Sequence, residues 1–387
     1  MGVLRVEPAR IGAATRAIGT AWRAYDWQLS AYALMLMTFG LVMAYSNSVH
    51  DGSSPFAMGT TFTRGVIWAV IAVVIFLGAT AFDYKWLKTF AWPLYGLNVG
   101  LLVLSLAIGT GVGNSSRWIT IPFIGMQFQF SELAKILMII VLARFLSARE
   151  ARLDSLSTIL GAGVLMAPVV ALVMLQPDLG TALVLFSILA GMLFMSGASL
   201  RWLAMLAVAG VAFVPVAWNF ILHDYQKARL LSFLDPASDP QGSGYHLLQS
   251  QIAVGAGGLL GKGLTNGTQN QLDYLPVQTT DFVFAILAEE LGFLGALVVF
   301  ALFAALLWRV LASAWRARDP FGTLFGAGLA SMILFQLLVN VGMVIGIMPI
   351  TGIPLPFITH GGASLITLAL GLGILQSVNL RQTRAEW

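Results

Sequence analysis

Ten apolar stretches recur along this chain, and they constrain its fold more than any other feature. A bilayer core of about 30 Å needs roughly 20 apolar residues per helix. Hydrophobic residues make up 58% of the 387 residues and charged residues only 10%, which is too few charges to cover a soluble protein of this size. The sequence therefore predicts an all-α polytopic membrane protein with about ten transmembrane helices.

The predicted spans divide the chain into a single membrane domain with two short tails. We assign residues 1–26 to an N-terminal tail, 27–380 to the membrane domain and 381–387 to a C-terminal tail. The approximate limits of the spans are 27–46, 65–82, 90–109, 131–146, 157–175, 180–197, 201–222, 282–308, 321–347 and 358–380. Residues 223–280 form the one long loop, between spans 7 and 8.

The distribution of basic residues predicts the orientation of these spans. Fifteen of the 21 lysines and arginines lie in the tails or in the loops after the even-numbered spans. Short loops rich in Lys and Arg stay in the cytoplasm, so both termini are predicted to be cytoplasmic and the long loop extracellular. The net charge of +4 thus arises from lysines and arginines at helix ends and does not indicate nucleic-acid binding.

Several kinds of site are disfavoured by composition. The chain has no cysteine, which excludes disulfides, thiolate zinc sites and a cysteine nucleophile. Its four histidines are not spaced as a helical metal pair, so a histidine-held metal is not expected.

The long loop contains two patterned segments. Residues 245–254 predict a short helix on the membrane surface, with Leu247, Leu248 and Ile252 inward. The glycines of 255–267 do not match a P-loop, because Ala256 and Gly263 stand at positions that require Gly and Ser or Thr. A turn that allows close backbone approach is the favoured interpretation, with anion contact through exposed N–H groups and Lys262 as the alternative.

Asp281 lies where this polar loop enters an apolar helix. An acid at a membrane boundary is costly and is a functional-site hypothesis by default. An Asp at a helix start can equally be an N-cap, and the local sequence leaves both interpretations open. Glu289 and Glu290 lie two turns deeper, where pairing with buried donors is favoured over catalysis.

A second polar group precedes span 4. Glu132 and Lys135 are spaced i, i+3 at a helix start, which favours a buried ion pair. Arg117 and Trp118 lie in the loop before them, and the tryptophan is by default an interfacial anchor. Asp178, which follows Pro177, is predicted to lie at the N-terminus of span 6.

Motifs along nearly the whole chain resemble those of one family. They are SRW at 116–118, FSELAK at 130–135, QPDLGTA at 176–182, FLDPASDPQGSGYHLLQS at 233–250, GKG at 261–263, LPVQTTDFVFAILAEELG at 275–292 and GIPLPFITHGGAS at 352–364. In this order they resemble the SEDS family (shape, elongation, division and sporulation). HDYQ at 223–226 and GTQNQLDYLP at 267–276 are more similar to its elongation branch, typified by RodA.

The resemblance implies a ten-helix peptidoglycan glycosyltransferase of the bacterial plasma membrane. Such an enzyme polymerises lipid II on the outer face and works with a class B penicillin-binding protein. The essential Asp of the family falls on Asp281, its important Trp on Trp118 and its QPSE acid on Glu132. The chain departs from the family pattern at Phe130, where proline is usual, and at flanking residues 277–279 and 359–360.

The expected chemistry is transfer of a sugar from a polyprenyl pyrophosphate to the C4 hydroxyl of a lipid-linked acceptor. Asp281 is the predicted general base, which implies inversion at the anomeric carbon. Arg117, Arg229 and Lys262 are candidate cations for the departing pyrophosphate, and Asp273 and Glu289 are supporting polar residues. No cofactor is certain; a divalent ion, Mg²⁺ or Mn²⁺, bridging the phosphate and Asp281 is an open alternative.

Two other classes of function are compatible with parts of the sequence. A transporter or flippase for the same lipid would also have ten spans and intramembrane charges. A scaffold that only recruits a transpeptidase is a third class, but it does not account for Asp281. The absence of an internal repeat favours the transferase over the flippase.

Overall fold

The computed structural model describes residues 24–50, 54–109, 118–121, 126–236, 239, 242–272, 274, 281–359 and 361–382. Its helices, in chain order, are α1 (Trp27–His50), α2 (Thr61–Ala81), α3 (Tyr84–Thr89), α4 (Ala91–Ile108), α5 (Phe130–Ser147), α6 (Leu156–Leu175), α7 (Leu179–Met195), α8 (Leu200–Phe220), α9 (Asp224–Leu234), α10 (Ser243–Ala256), α11 (Thr268–Gln271), α12 (Val283–Arg316), α13 (Pro320–Val344) and α14 (Gly362–Gln382). A short antiparallel pair, β1 (Ile119–Ile121) and β2 (Met126–Phe128), precedes α5.

The predicted all-α membrane fold is confirmed, and each predicted span corresponds to one helix. Within the described ranges, eight helices are long and apolar enough to cross a bilayer, and α7 is a shorter apolar helix. The remaining helix, α5, which corresponds to span 4, carries Glu132, Lys135 and Arg144. Charges of this kind are tolerated at membrane depth only when they are buried in protein. Most residues of α5 are buried, which explains how a helix with three charges forms a span.

The interior of the helix bundle is built around α5, α13 and α14, whose residues are mostly buried. Small residues permit close packing there: a Cβ placed on Gly373 of α14 would lie 2.6 Å from the Phe76 carbonyl oxygen of α2. By contrast, α8 has no buried residue. The bundle therefore has a tight core and one loosely packed helix.

Helix α12 is broken at Gly292, which the sequence did not predict. Gly292 has φ 67° and ψ −167°, so the helix direction changes there. The carbonyls of Glu289 and Glu290 left unpaired by the break accept hydrogen bonds from the N–H groups of Lys262 and Gly263, both at 3.0 Å. The predicted close approach of the glycine-rich segment is thus confirmed. The N–H groups of Lys262 and Gly263 are not available for the alternative of anion contact, because they bond to α12.

The predicted surface helix exists as α10, but its orientation differs from the prediction. Leu247 is buried, whereas Leu248 and Ile252 are 43% and 51% exposed. The inward face instead includes Ser250, whose hydroxyl donates to the Val344 carbonyl oxygen at 2.9 Å. Packing against α12 and α13 therefore determines which face of α10 is buried.

Span 10 begins later than predicted. The Leu355 N–H donates to Thr359 Oγ1 at 2.8 Å, and the Thr359 N–H donates to the Leu355 carbonyl oxygen at 3.1 Å. This turn occupies the residues that hydropathy assigned to the helix start. It also places the loop between α13 and α14 inside the bundle, where Leu355 and Ile358 are buried.

Candidate active site

Asp281 lies in the turn immediately before α12. The N-cap position of α12 is Phe282, so Asp281 precedes the cap by one residue and the simple N-cap interpretation is not supported. Its backbone carbonyl oxygen accepts a hydrogen bond from Asn340 Nδ2 at 3.0 Å. The same amide donates to the Ile353 carbonyl oxygen at 2.8 Å. Because Asn340 is fully buried, it positions the turn before α12 against the loop that follows α13.

A cavity of about 220 Å³ opens beside Asp281. It brings together five of the residues selected from the sequence: Trp118, Glu132, Lys135, Arg229 and Asp281. Further residues that line it are Gln129, Asp178, Thr181, Val184, Thr351, Gly352, Ile353, Pro354, Thr359, Gly361, Ala363 and Ser364. Residues far apart in the chain thus share one site of mixed charge.

Gly352, in the loop after α13, lies close to two charged groups of the cavity. A Cβ placed on it would lie 3.4 Å from Asp281 Oδ2 and 3.7 Å from Arg229 Nη1. Its φ of +72° is favourable for glycine and strained for other residues. The loop backbone can therefore approach a carboxylate and a guanidinium at the same time.

The predicted ion pair at the start of α5 is present. Lys135 Nζ lies 2.7 Å from Glu132 Oε1, and both side chains are buried. Glu132 Oε2 is also buried and accepts no hydrogen bond from the residues that the structure describes. A buried acceptor of this kind is costly unless a donor reaches it, so the cavity presents a position suited to a hydroxyl group.

Asp178 is a cavity residue whose surroundings the sequence did not predict. Its Oδ1 accepts from the Thr181 N–H at 3.1 Å, which confirms that it lies at the start of α7. Its Oδ2 accepts from Gln129 Nε2 at 2.8 Å and from the Thr181 and Ser131 hydroxyl groups. Of these four hydrogen bonds, the two from Gln129 and Ser131 join the start of α5 to the start of α7. The Pro177–Asp178 pair signalled the helix start, but nothing local signalled the contact with Gln129.

Arg229 projects from α9 in the long loop and is the cavity's arginine. Its guanidinium carbon lies 5.8 Å from the centre of the Tyr225 ring. Tyr225 in turn donates a hydrogen bond to the Pro177 carbonyl oxygen. The loop helix is therefore connected both to the cavity and to the start of α7.

His246 of α10 is a titratable group close to this arginine. Burial lowers the pKa of its imidazole below the usual 6.5, the Arg229 charge lowers it further, and Asp239 acts in the opposite direction. Its ring lies 6.4 Å from that of Phe282, the residue after Asp281. His246 is therefore neutral at pH 7 and adds no second cation beside Arg229.

Two of the predicted site residues lie together but do not line the cavity. Lys262 Nζ is 2.7 Å from Glu289 Oε1, and Glu289 is fully buried. Glu289 also accepts from the Thr268 hydroxyl at 3.0 Å. Glu290 accepts from the Ser46 hydroxyl of α1. The pairing predicted for the two glutamates is present, and Lys262 is engaged at the broken helix. Arg117 and Asp273 lie outside the described residues.

The acidic residues of the cavity do not form a cage for a metal ion. No group of three or more His, Cys, Asp or Glu side chains with metal-binding geometry occurs among the described residues. Asp178 and Glu132 are engaged by hydrogen bonds and by Lys135. Mg²⁺ often binds through one or two carboxylates plus substrate phosphates, and Asp281 fits that role.

Comparisons with known proteins point to one family. The family model described as cell cycle protein, which covers FtsW, RodA and SpoVE, matches residues 26–384. The chain is 43% identical over 286 residues to the peptidoglycan glycosyltransferase MrdB of Escherichia coli K12, covering 74% of this chain and 76% of that protein.

Solved structures are similar over nearly the whole length. A chain of a peptidoglycan synthase complex, whose structure concerns the coordination of polymerization and crosslinking, superposes with a TM-score of 0.78 at 31% identity and covers 94% of this chain and 99% of that one. The rod shape determining protein RodA of Thermus thermophilus has a TM-score of 0.66 at 27% identity, with 93% and 98% covered.

Proposed function

Because the chain belongs to the FtsW, RodA and SpoVE family of cell cycle proteins, we propose that it is a peptidoglycan glycosyltransferase that polymerises lipid-linked disaccharides. The observation that carries the proposal is the placement of both Asp281 and Arg229 beside Gly352 at one cavity. A base and a cation are the two groups that this transfer requires.

Asp281 is the general base of the proposed reaction. A sugar hydroxyl is a weak nucleophile, and a positioned carboxylate accelerates its attack by accepting the proton as the new bond forms. The C4 hydroxyl oxygen attacks the anomeric carbon of the donor, and its proton passes to Asp281. The bond from that carbon to the pyrophosphate oxygen breaks with its electron pair. A single displacement of this kind inverts the anomeric centre.

Arg229 stabilises the charge that develops on the departing pyrophosphate. A fixed guanidinium in a partly enclosed cavity needs little reorganisation as that charge forms, and its planar donors match phosphate oxygens. A divalent cation, when bound, would supply further charge there, with Asp281 as its protein carboxylate. Glu132 and Trp118 line the same cavity and contact the sugars in this proposal.

The proposed site lies on the extracellular side of a bacterial inner membrane. The orientation is supported by the basic residues, of which fifteen out of 21 lie in the tails or in the loops on the side of the termini. A class B penicillin-binding protein is the proposed partner. Its support is the similarity to a chain of a complex that combines polymerization with crosslinking.

Transport of the same lipid is the alternative, and it is not favoured. The relative with 43% identity is named a glycosyltransferase. The cavity also places a carboxylate and a guanidinium beside one glycine, which transport by itself does not require.

The deciding experiment is polymer formation from labelled lipid II by the purified protein together with its transpeptidase partner. We expect Asp281→Asn to lower the polymerisation rate by about 100-fold or more, as loss of a general base does. Asp224→Asn is the matched control, since Asp224 lies in the same loop with a fully exposed side chain.

Two results would contradict the proposal. If folded Asp281→Asn protein polymerises at the wild-type rate, Asp281 is not the base. If the wild type makes no polymer but moves lipid II across sealed vesicles, the protein is a transporter.

A further inference from the structure

Residues 257–261, the tip of the glycine-rich segment, expose large apolar side chains, whereas a loop that faces water would be polar. Leu259 and Leu260 are 71% and 78% exposed. Residues 255–261, GAGGLLG, contain no charged or polar side chain. The tip therefore presents a surface that water solvates poorly.

Part of the backbone of this tip is hydrogen-bonded to α12 and within its own turn. The N–H groups of Phe293 and Leu294, just after the break in α12, donate to the carbonyl oxygens of Gly258 and Leu259 at 2.9 Å and 3.1 Å. The Gly261 N–H donates to the Gly257 carbonyl oxygen at 2.8 Å. These hydrogen bonds lower the cost of placing this irregular backbone at membrane depth, where polar groups need protein partners.

The tip lies beside the part of α12 that faces lipid. Phe293 and Leu294 are 59% and 49% exposed, and Leu297 and Val298, one turn further, are also exposed. These side chains continue the apolar surface of a membrane-spanning helix. The side chains of Leu259 and Leu260, in the adjacent loop, add to the same apolar surface.

The length of α12 sets the depth of the tip. At the opposite end, Arg309 Nε bonds to Asp26 Oδ2 at 3.0 Å, and Asp26 immediately precedes the first span, so this pair marks the other membrane boundary. Residues 293–309 rise about 24 Å at 1.5 Å per residue. The hydrocarbon core is about 30 Å thick, and any tilt reduces the depth that the helix covers. Phe293 and Leu294 therefore lie within the core.

We propose that residues 257–263 form a re-entrant membrane anchor, in which Leu259 and Leu260 contact acyl chains of the leaflet on the side of the long loop. Lys262 remains at the boundary, where its ammonium is paired with Glu289. The anchor holds the long loop at a constant depth relative to α12. This assignment is independent of the proposed chemistry.

The test is the depth of single spin labels in lipid nanodiscs. The chain has no cysteine, so Leu260→Cys can be labelled alone in the full-length protein. Asp224→Cys is the aqueous control, and Val74→Cys, on the 63% exposed Val74 of α2, is the lipid control. Collision rates are measured with oxygen, which concentrates in hydrocarbon, and with a water-soluble nickel chelate.

We expect the label at 260 to collide more with oxygen than with the nickel chelate, as the label at 74 does. A pattern like that of the label at 224 would overturn the proposal, because the tip would then be in water. Low collision rates with both reagents would also overturn it, since protein would then cover the tip. Leu259→Cys provides a second site if the first variant does not fold.

Discussion

The loop after α13 lies beside two charged side chains at Gly352, and substitution of this glycine tests the geometry of the site. In Gly352→Ala the new Cβ would lie 3.4 Å from Asp281 Oδ2 and 3.7 Å from Arg229 Nη1, at a φ of +72°. The backbone conformation costs about 1–2 kcal/mol for an L-residue. We expect at least a tenfold loss of polymerisation, because relief of the strained φ shifts the loop that lines the cavity beside this carboxylate and guanidinium. Lipid II polymerisation and thermal unfolding are measured on the same preparation.

Gly197→Ala is the matched control for that strain. Gly197 has φ +85°, and no atom lies within 4 Å of the Cβ position. The backbone cost is therefore similar while the cavity is untouched. We expect unfolding temperatures lowered by similar amounts and activity lost only in Gly352→Ala. Equal activity in the two variants would show that the backbone conformation at Gly352 has no catalytic consequence.

At the scale of an element, the broken helix α12 depends on a buried acid and its partner. Glu289 is fully buried, whereas the Lys262 side chain is 30% exposed. Removing the partner of a buried charge is strongly destabilising, while an exposed ammonium can turn to water. We expect Lys262→Met to cost about 3 kcal/mol and Glu289→Gln to cost less. Thermal unfolding in detergent measures both.

The double variant Lys262→Met with Glu289→Gln separates charge burial from packing. If the unpaired carboxylate causes the loss, the second change recovers most of the stability lost in the first. A double variant less stable than Lys262→Met would instead show that the contacts of Glu289 with Thr268 and Gln269 dominate.

At the scale of the whole molecule, the orientation of the bundle can be tested by labelling. Met58, between α1 and α2, is 94% exposed, and Glu150, between α5 and α6, is also exposed. We expect an impermeant maleimide added outside to intact cells to label Met58→Cys and not Glu150→Cys. After lysis both react. The reverse pattern would place the cavity on the cytoplasmic side and contradict the proposed reaction with externally displayed substrate.

Much of the architecture follows from local properties of the sequence. Whether a stretch spans a bilayer depends largely on its own length and apolarity, so most of the spans follow from the sequence, whereas α5 also depends on neighbouring helices that bury its charges. The Glu132–Lys135 pair was also predictable, since residues three apart on a helix are neighbours wherever that helix packs. Asp281 could be selected because an acid entering an apolar helix is costly without a function.

The remaining features depend on contacts between distant segments. The break at Gly292 is stable only because residues 258–263 supply hydrogen bonds to α12, and no window of sequence around Gly292 contains them. The exposed side of α10 was predicted incorrectly because this helix has apolar residues on two sides. The side that becomes buried is the one that contacts α12 and α13. Asp178 contacts Gln129, and Asp281 and Arg229 both lie beside Gly352, because separate helices and loops pack together. Sequence by itself determined most of the segments that enter the membrane, since length and apolarity are properties of each segment. Only the tertiary structure decided which charges share the cavity, since those distances depend on how the helices pack.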